Sequence, residues 1–201
     1  MNIPHNINSY YTEAQFEEIQ SKFDGKAEYE NGEIVLSSNT SIKHNSIKGN
    51  ILASLIMYFK GRNCKPYDEQ IEVIFKNESE LHKYKPDVFV MCDNPEKQGE
   101  SFISPPKIVF EIISRSTANH DYITKLYVYQ KFGVLEYNIV EQNGFIVQYS
   151  LIDEQYEITN TFKSGDVYKS SIFEDLTIDL KDIFEEWSLK NHLRGNLFGD
   201  F

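Results

Sequence analysis

The stretch KIVFEIIS, residues 107–114, decides the fold. An apolar run this short and this rich in β-branched side chains reads as a strand buried on both faces, at the centre of a sheet. Glu111 interrupts it. An unpaired carboxylate in such a strand is strongly unfavourable, so Glu111 requires a metal ion, a cation or a hydrogen-bonded partner. Upstream, DVFVM (87–91) reads as a second central strand, and IEVIF (71–75) reads as a strand as well. Asp87 begins its strand directly after Pro86. Two carboxylates at the ends or edges of adjacent central strands can converge on one point, which is how an oxygen-ligand Mg²⁺ site is assembled.

Downstream, Ile123, Leu126 and Tyr127 mark a helix from about Asn119 to Phe132, ended by Gly133. Asp121, Lys125 and Tyr129 follow one another at four-residue steps and so share a face of that helix. Strands resume as VLEYNIV (134–140), FIVQYSLI (145–152) and YEITNTF (156–162), and residues around 179–184 read as a short strand and a last helix. On the N-terminal side, Thr12 caps a first amphipathic helix. KAEYENGEIVLSS follows as a hairpin turning at Asn31-Gly32, and a second helix runs from Ser41 to Lys60 with His44 in its first turn. The order of elements predicts an α/β (α+β) fold on a mixed sheet. We read residues 1–201 as one domain with a core at about 41–140, an N-terminal helix and hairpin, and a C-terminal β/helix extension.

A hydrophobic fraction of 40%, with 13 Tyr and 14 Phe among 201 residues, excludes an acidic disordered chain. Two cysteines, Cys64 and Cys92, make no disulfide framework or zinc spacing and read as reduced core residues. The first residues lack the pattern of a signal peptide, and no run approaches a membrane span, which points to the cytoplasm and no membrane partner. G-x-S-x-G, Walker, G-x-G-x-x-G and H-E-x-x-H motifs are missing. The net charge of −11 argues at first against a polyanionic partner. It is uneven, however: residues 40–131 hold 13 basic and 11 acidic side chains, whereas the remainder is strongly acidic. An anion-handling surface is therefore expected in the middle segment, with the acidic ends facing away.

KPDVFVM, PPKIVFEIISRST and DYITKLYVYQKFGVLEYNIV together resemble the Uma-two family of restriction-endonuclease-like proteins, a branch of the PD-(D/E)XK nuclease superfamily. The shared steps are Pro86-Asp87, Glu111 to Thr117, the series Asp121, Lys125, Tyr129, and Gly133 to Tyr137. AEYENGEIV is similar to the family's hairpin, placing its early acid on Glu28 and its glycine on Gly32, and the family's helix-start histidine falls on His44. In the superfamily's usual pattern a lysine stands two positions after the Glu, but Ile113 occupies that position here; the resemblance implies that the lysine has moved to Lys125. Arg115 and Asn138 also depart from the family pattern, without removing a catalytic group.

The resemblance implies a restriction-endonuclease-like mixed sheet and a metal-dependent endonuclease acting on DNA. Asp87 and Glu111, helped by the backbone carbonyl of Ile112, would ligate Mg²⁺ or Mn²⁺. Lys125 would offset charge on the transition state, Glu28 would bind a second ion or orient a water, and His44 would contact the phosphate. A homodimer would suit cleavage of two strands. Taken alone, the residues leave other readings open: Asp87 as a turn cap, Glu111 as half of an ion pair with Lys125 or Arg115, Lys125 and Glu28 as solvated residues, and His44 as exposed. His5, His82, His120 and His192 show no ligand spacing and read as surface residues. Two other functions remain: a nuclease fold kept as a non-catalytic binding or oligomerisation module, favoured by the charge, and a metal-dependent phosphodiesterase for a small substrate.

Overall fold

The computed structural model describes residues 10–37, 41–113 and 120–185. Helix α1 (Glu13–Lys22) opens on Thr12, whose hydroxyl accepts the Gln15 N–H while the Gln15 side chain accepts the Thr12 N–H. Strands β1 (Lys26–Glu30) and β2 (Glu33–Ser37) form a hairpin whose two turn residues, Asn31 and Gly32, both take positive φ. That is the backbone a tight two-residue turn needs to match the strands' twist. Helix α2 (Ile42–Phe59) is capped by Ser41 and buries Ile47, Ile51, Leu55 and Phe59 along one stripe.

The strands that follow are β3 (Cys64–Asp68), β4 (Val73–Lys76), β5 (Leu81–Tyr84), β6 (Val88–Cys92), β7 (Lys97–Gln98), β8 (Ser101–Phe102) and β9 (Ile108–Ile113). A π-helical segment, His120–Lys125, runs directly into α3 (Leu126–Phe132), which ends on Gly133 in the left-handed region. Strands β10 (Glu136–Glu141), β11 (Phe145–Ile152), β12 (Gln155–Lys163), β13 (Val167–Lys169) and β14 (Thr177–Asp179) and helix α4 (Leu180–Phe184) complete the order.

One six-stranded sheet has the order β12-β11-β10-β9-β6-β3, with β9 and β10 parallel and the other neighbours antiparallel. The second has the order β2-β1-β5-β4-β8-β7. The expected mixed α/β (α+β) architecture is thus present, built on two six-stranded sheets and a two-stranded β13-β14 sheet rather than on one. Strand β9 lies inside the first sheet and is buried throughout. Its side chains alternate between two cores, as the period of a strand requires. Phe110 and Ile112 pack with Ile47, Leu55 and Ile183, whereas Val109 and Ile113 pack with Phe75, Tyr84, Tyr129 and Tyr137. Glu111 is on the second of these faces.

Sequence reading and structure differ in places. Strands β3 and β5 are not marked by an apolar pattern: β5 is Leu81-His82-Lys83-Tyr84, and its buried Lys83 is held by Glu13 and Glu17 of α1. The helix expected at 119–132 is divided into π and α portions. The expectation of reduced cysteines is overturned. Cys64 and Cys92 stand directly opposite each other on β3 and β6, with Cα atoms 4.1 Å apart, and are joined as a disulfide. A separation of 28 residues gives no hint of that pairing; only the strand register does. Among the described residues, no helix is long and apolar enough to cross a membrane. His5, Arg115 and His192 lie outside the described residues.

Candidate active site

Asp87 immediately precedes β6, and the register of β6 against β9, Val88 opposite Phe110, sets it beside Glu111 and Ile112. Both carboxylates are buried, at 5% and 2% exposure. Asp87 Oδ2 accepts the Ile112 N–H at 2.8 Å and faces His44 Nε2 at 3.1 Å. A strand residue turns its N–H and C=O toward the same edge. The Ile112 carbonyl therefore faces the edge on which Asp87 lies. Glu111 Oε1 accepts from Lys125 Nζ at 2.9 Å and from the Tyr129 hydroxyl at 2.8 Å. Asp121 Oδ1 lies 3.5 Å from the same ammonium, so the three residues at four-residue steps do meet on one face. The wider π turn sits between Asp121 and Lys125, while Tyr129 follows on ordinary α-helix.

The hairpin supplies the rest. Strand β1 places Ala27 and Tyr29 in a core with Phe16 and turns Lys26, Glu28 and Glu30 the other way. Glu28 Oε2 is 3.1 Å from Lys125 Nζ, and its Oε1 accepts the Lys85 N–H at 2.8 Å. Lys26 reaches between the acids: its Nζ is 3.2 Å from Asp87 Oδ1, 3.7 Å from Glu28 Oε1 and 3.9 Å from Glu111 Oε2. Asp87 therefore ties Oδ2 to fixed donors and turns Oδ1 toward Lys26, while Glu111 ties Oε1 to Lys125 and Tyr129 and turns Oε2, which takes the Asp87 N–H at 3.4 Å, toward Lys26. Such outer hydrogen bonds are what orient ligating carboxylates in metal sites.

Of the residues named from sequence, Asp87, Glu111, Lys125, His44 and Glu28 come together around one cleft, with Ile112 in its wall. None of the solvated readings survives, and the alternative pairing of Glu111 with Lys125 is realised. His44 is buried and faces Asp87, rather than standing free for a phosphate. Two expectations about histidines are corrected. His82 is buried, and His120 lines the cleft and pairs with Glu30, which also accepts from the Tyr84 hydroxyl at 3.0 Å. Lys26 is the residue sequence reasoning missed. Its signal is the alternation Lys26-x-Glu28-x-Glu30, which puts it on the face of Glu28.

Burial pushes the Glu111 carboxyl up to about 7, even though Lys125 and Lys26 pull it down. At Asp87 burial acts in the same upward sense but is outweighed by Lys26 and by the hydrogen bond to His44, which hold the group well below the usual carboxylate range. Glu28 is likewise held down, against its burial, by Lys125 and Lys26. Both lysines keep their charge despite burial, because the surrounding carboxylates raise their values above that of a free lysine. Glu111 and Asp87 thus differ sharply in proton affinity while standing side by side, which is the pattern of an acid/base site.

The cleft has a volume of about 1170 Å³ and is lined by three lysines and six carboxylates. Asp24 and Glu28 belong to the N-terminal segment, so that acidic end faces into the cleft rather than away from it. Among the described residues, no three or more His, Cys, Asp or Glu side chains are arranged to hold a metal ion as they stand. The donor chemistry nevertheless suits one. Asp87 Oδ1 and Glu111 Oε2 are hard, anionic and turned toward a common cation, and Mg²⁺ needs only one or two carboxylates with water completing its shell. That cation is at present the Lys26 ammonium.

A mixed-sheet fold with a buried Asp, Glu and Lys meeting at one cleft agrees with the comparisons with known proteins. The family profile described as "Putative restriction endonuclease", Uma2, matches residues 13–181, and the chain belongs to that family. A protein of Synechocystis sp. (strain ATCC 27184 / PCC 6803 / Kazusa), "Uncharacterized protein sll1609", is 25% identical over 153 residues, covering 74% of this chain and 85% of its own. The fold is similar to the crystal structure of "a putative nuclease belonging to DUF820" from Anabaena variabilis ATCC 29413. The TM-score is 0.65 at 18% identity, over 83% of this chain and 96% of that one.

Proposed function

We propose that the protein is a metal-dependent endonuclease that hydrolyses phosphodiester bonds in DNA. The observation that carries this reading is the meeting of Asp87, Glu111 and the buried ammonium of Lys125 at the cleft, 2.9 Å separating Lys125 Nζ from Glu111 Oε1. Asp87, Glu111 and the Ile112 carbonyl would hold Mg²⁺ or Mn²⁺. When bound, the ion would polarise the scissile phosphate and lower the pKa of an attacking water. A cleft lined by six carboxylates repels phosphate by itself, so a divalent ion is also the means by which it would accept one.

The protein's own groups divide the remaining work. His44 and the Ile112 N–H fix Asp87 through Oδ2 and leave Oδ1 for the cation. Lys125 and Tyr129 fix Glu111 through Oε1 and leave Oε2, which takes the Asp87 N–H at 3.4 Å, turned toward the same cation. Lys125 stays cationic and, anchored by Glu111, Glu28 and Asp121, offsets charge developing on the phosphate. A homodimer would present two such clefts to a duplex.

The test is cleavage of supercoiled and branched DNA with Mg²⁺ or Mn²⁺, beside Asp87→Ala and Glu111→Ala. Loss of cleavage in both variants is expected, and cleavage equal to wild type in either refutes the assignment. A second reading, a binding or oligomerisation module without catalysis, is favoured by Lys26, which already neutralises the acids. It predicts DNA or self-association without cleavage in any divalent ion. A small phosphodiester as substrate would show as cleavage of such a compound that oligonucleotides do not inhibit.

A further inference from the structure

Lys26 occupies the point a divalent ion would need. Its ammonium faces one oxygen each of Asp87, Glu28 and Glu111 at 3.2, 3.7 and 3.9 Å. The Asp87 oxygen is the one not bound by His44 and the Ile112 N–H, and the Glu111 oxygen is the one not bound by Lys125 and Tyr129, taking besides Lys26 the Asp87 N–H at 3.4 Å. We propose that Lys26 is the built-in counter-ion of the site: it neutralises the carboxylates while no divalent ion is bound and swings out when one binds. The inference rests on the reading of Asp87 and Glu111 as ion ligands given above.

The two lysines of the cluster differ in the way this requires. Lys125 is sealed, its side chain 2% exposed, and is held by three carboxylates from beneath. Lys26 lines the cleft at the first position of β1, next to the exposed Gly25, and its side chain is 21% exposed. Its long stem can carry the charge into water without moving the strand. Two cations cannot share the space between the same oxygens, because like charges at such distances repel strongly where water is scarce. Without any cation there, the oxygens that Asp87 and Glu111 turn toward it would lie buried together with only Lys125, on the other oxygen of Glu111, to offset their charge. Lys26 therefore allows the empty site to fold, and it makes ion binding an exchange of one cation for another. The affinity measured for the ion is then reduced by the work of removing the ammonium.

The experiment is calorimetric titration of Mn²⁺ into wild type, Lys26→Met and Asp87→Asn, together with acetylation of wild type by an N-hydroxysuccinimide ester, read by mass spectrometry at Lys26 with and without Mn²⁺. Lys26→Met is expected to bind Mn²⁺ at least about tenfold more tightly, the effect of removing one unit charge a few ångströms away. In wild type, Mn²⁺ is expected to raise acetylation at Lys26 several-fold, and this increase should vanish in Asp87→Asn. Equal or weaker Mn²⁺ binding by Lys26→Met, with Asp87→Asn still abolishing binding, overturns the counter-ion role and leaves the ligand assignment standing. Wild-type binding by Asp87→Asn overturns both. Should Lys26→Met fail to fold, the acetylation decides: Lys26 reactivity unchanged by saturating Mn²⁺ overturns the proposal.

Discussion

Lys125→Met probes the centre of the cluster, because methionine keeps most of the aliphatic stem and removes the charge. The ammonium lies 2.9 Å from Glu111 Oε1, 3.1 Å from Glu28 Oε2 and 3.5 Å from Asp121 Oδ1. Breaking a buried ion pair by removing one partner costs about 3–5 kcal/mol. Three carboxylates lose their shared partner here, so a loss near the top of that range is expected at pH 8.5. The loss must also depend on pH, since the acids can escape by taking up protons. Glu111 already stands at about 7 with both lysines pulling it down, and without Lys125 it rises further. A carboxyl whose folded value exceeds its unfolded value binds more protons in the folded state. Its contribution is complete below the unfolded value and is lost as pH rises through the folded one. For wild-type Glu111 that window runs from 4.5 to about 7, a swing of about 3 kcal/mol. Asp87 and Glu28, held below their ordinary values, act oppositely and lose their contribution only as pH falls into the acid range. In the variant the Glu111 window extends above 7, so the deficit against wild type should widen by up to about 1.4 kcal/mol per pH unit there. Urea unfolding in chelator, followed by far-ultraviolet circular dichroism at pH 5.5, 7.0 and 8.5, measures it. A deficit under about 1 kcal/mol at pH 8.5, or one that does not change with pH, refutes the reasoning.

Tyr129→Phe removes the hydroxyl that donates to Glu111 Oε1 at 2.8 Å, and a loss of about 1.5–3 kcal/mol is expected from a buried bond to a charged acceptor, read by the same unfolding assay. Glu136 is buried and accepts from the Tyr168 and Ser171 hydroxyls, the Ser171 N–H and the Asn138 amide, with no cation among these partners. Glu136→Gln sets an amide against at least one N–H that cannot rotate away; destabilisation of about 1–3 kcal/mol is expected, and unchanged urea midpoints would disprove it. Reducing the Cys64–Cys92 disulfide, which spans 28 residues, should lower stability by up to about 3–4 kcal/mol, and a Cys64→Ala, Cys92→Ala protein should no longer respond to reductant.

What the sequence reveals of the site follows from which residues break a pattern. Glu111 is conspicuous because it is charged inside a run of apolar neighbours, and Asp87 because it begins such a run. The spacing of Asp121, Lys125 and Tyr129 shows itself through helical periodicity. Lys26 and His120 break no pattern. Lys26 stands in a hairpin already rich in charge, and His120 opens a helical segment where a polar residue is ordinary. Their place is set by the packing of β1 and the π turn against the end of β9, a contact between distant parts of the chain. The same holds for the fold. Strands β6, β9 and β10 carry long apolar patterns, whereas β5 reads as polar because its Lys83 is buried against Glu13 and Glu17 of α1 and its His82 against the Phe132 ring of α3. The cysteine pair is hidden for a related reason: cross-strand register is a tertiary property.

The position of the lysine changes how the site depends on the fold. Two residues after Glu111, on the strand face where a lysine would be delivered by β9 itself, stands Ile113, buried against the aromatic core with Tyr129 and Tyr137. A lysine from the strand would reach the acid by local geometry alone. Lys125 reaches it only when the π-helical segment and α3 are docked, and the acids draw it there, since Glu28 from the hairpin and Glu111 from β9 both bind its ammonium. Charge pairing thus ties three separate elements, β1, β9 and the π turn, at one atom. Loosening any of them should disturb the others. Tyr129, one α-helical turn beyond Lys125, donates to the same oxygen and fixes the helix's rotation. The site is therefore a product of tertiary docking, and substitutions that weaken the helix contact should impair the proposed ion binding and the stability together even when they leave every acidic residue in place.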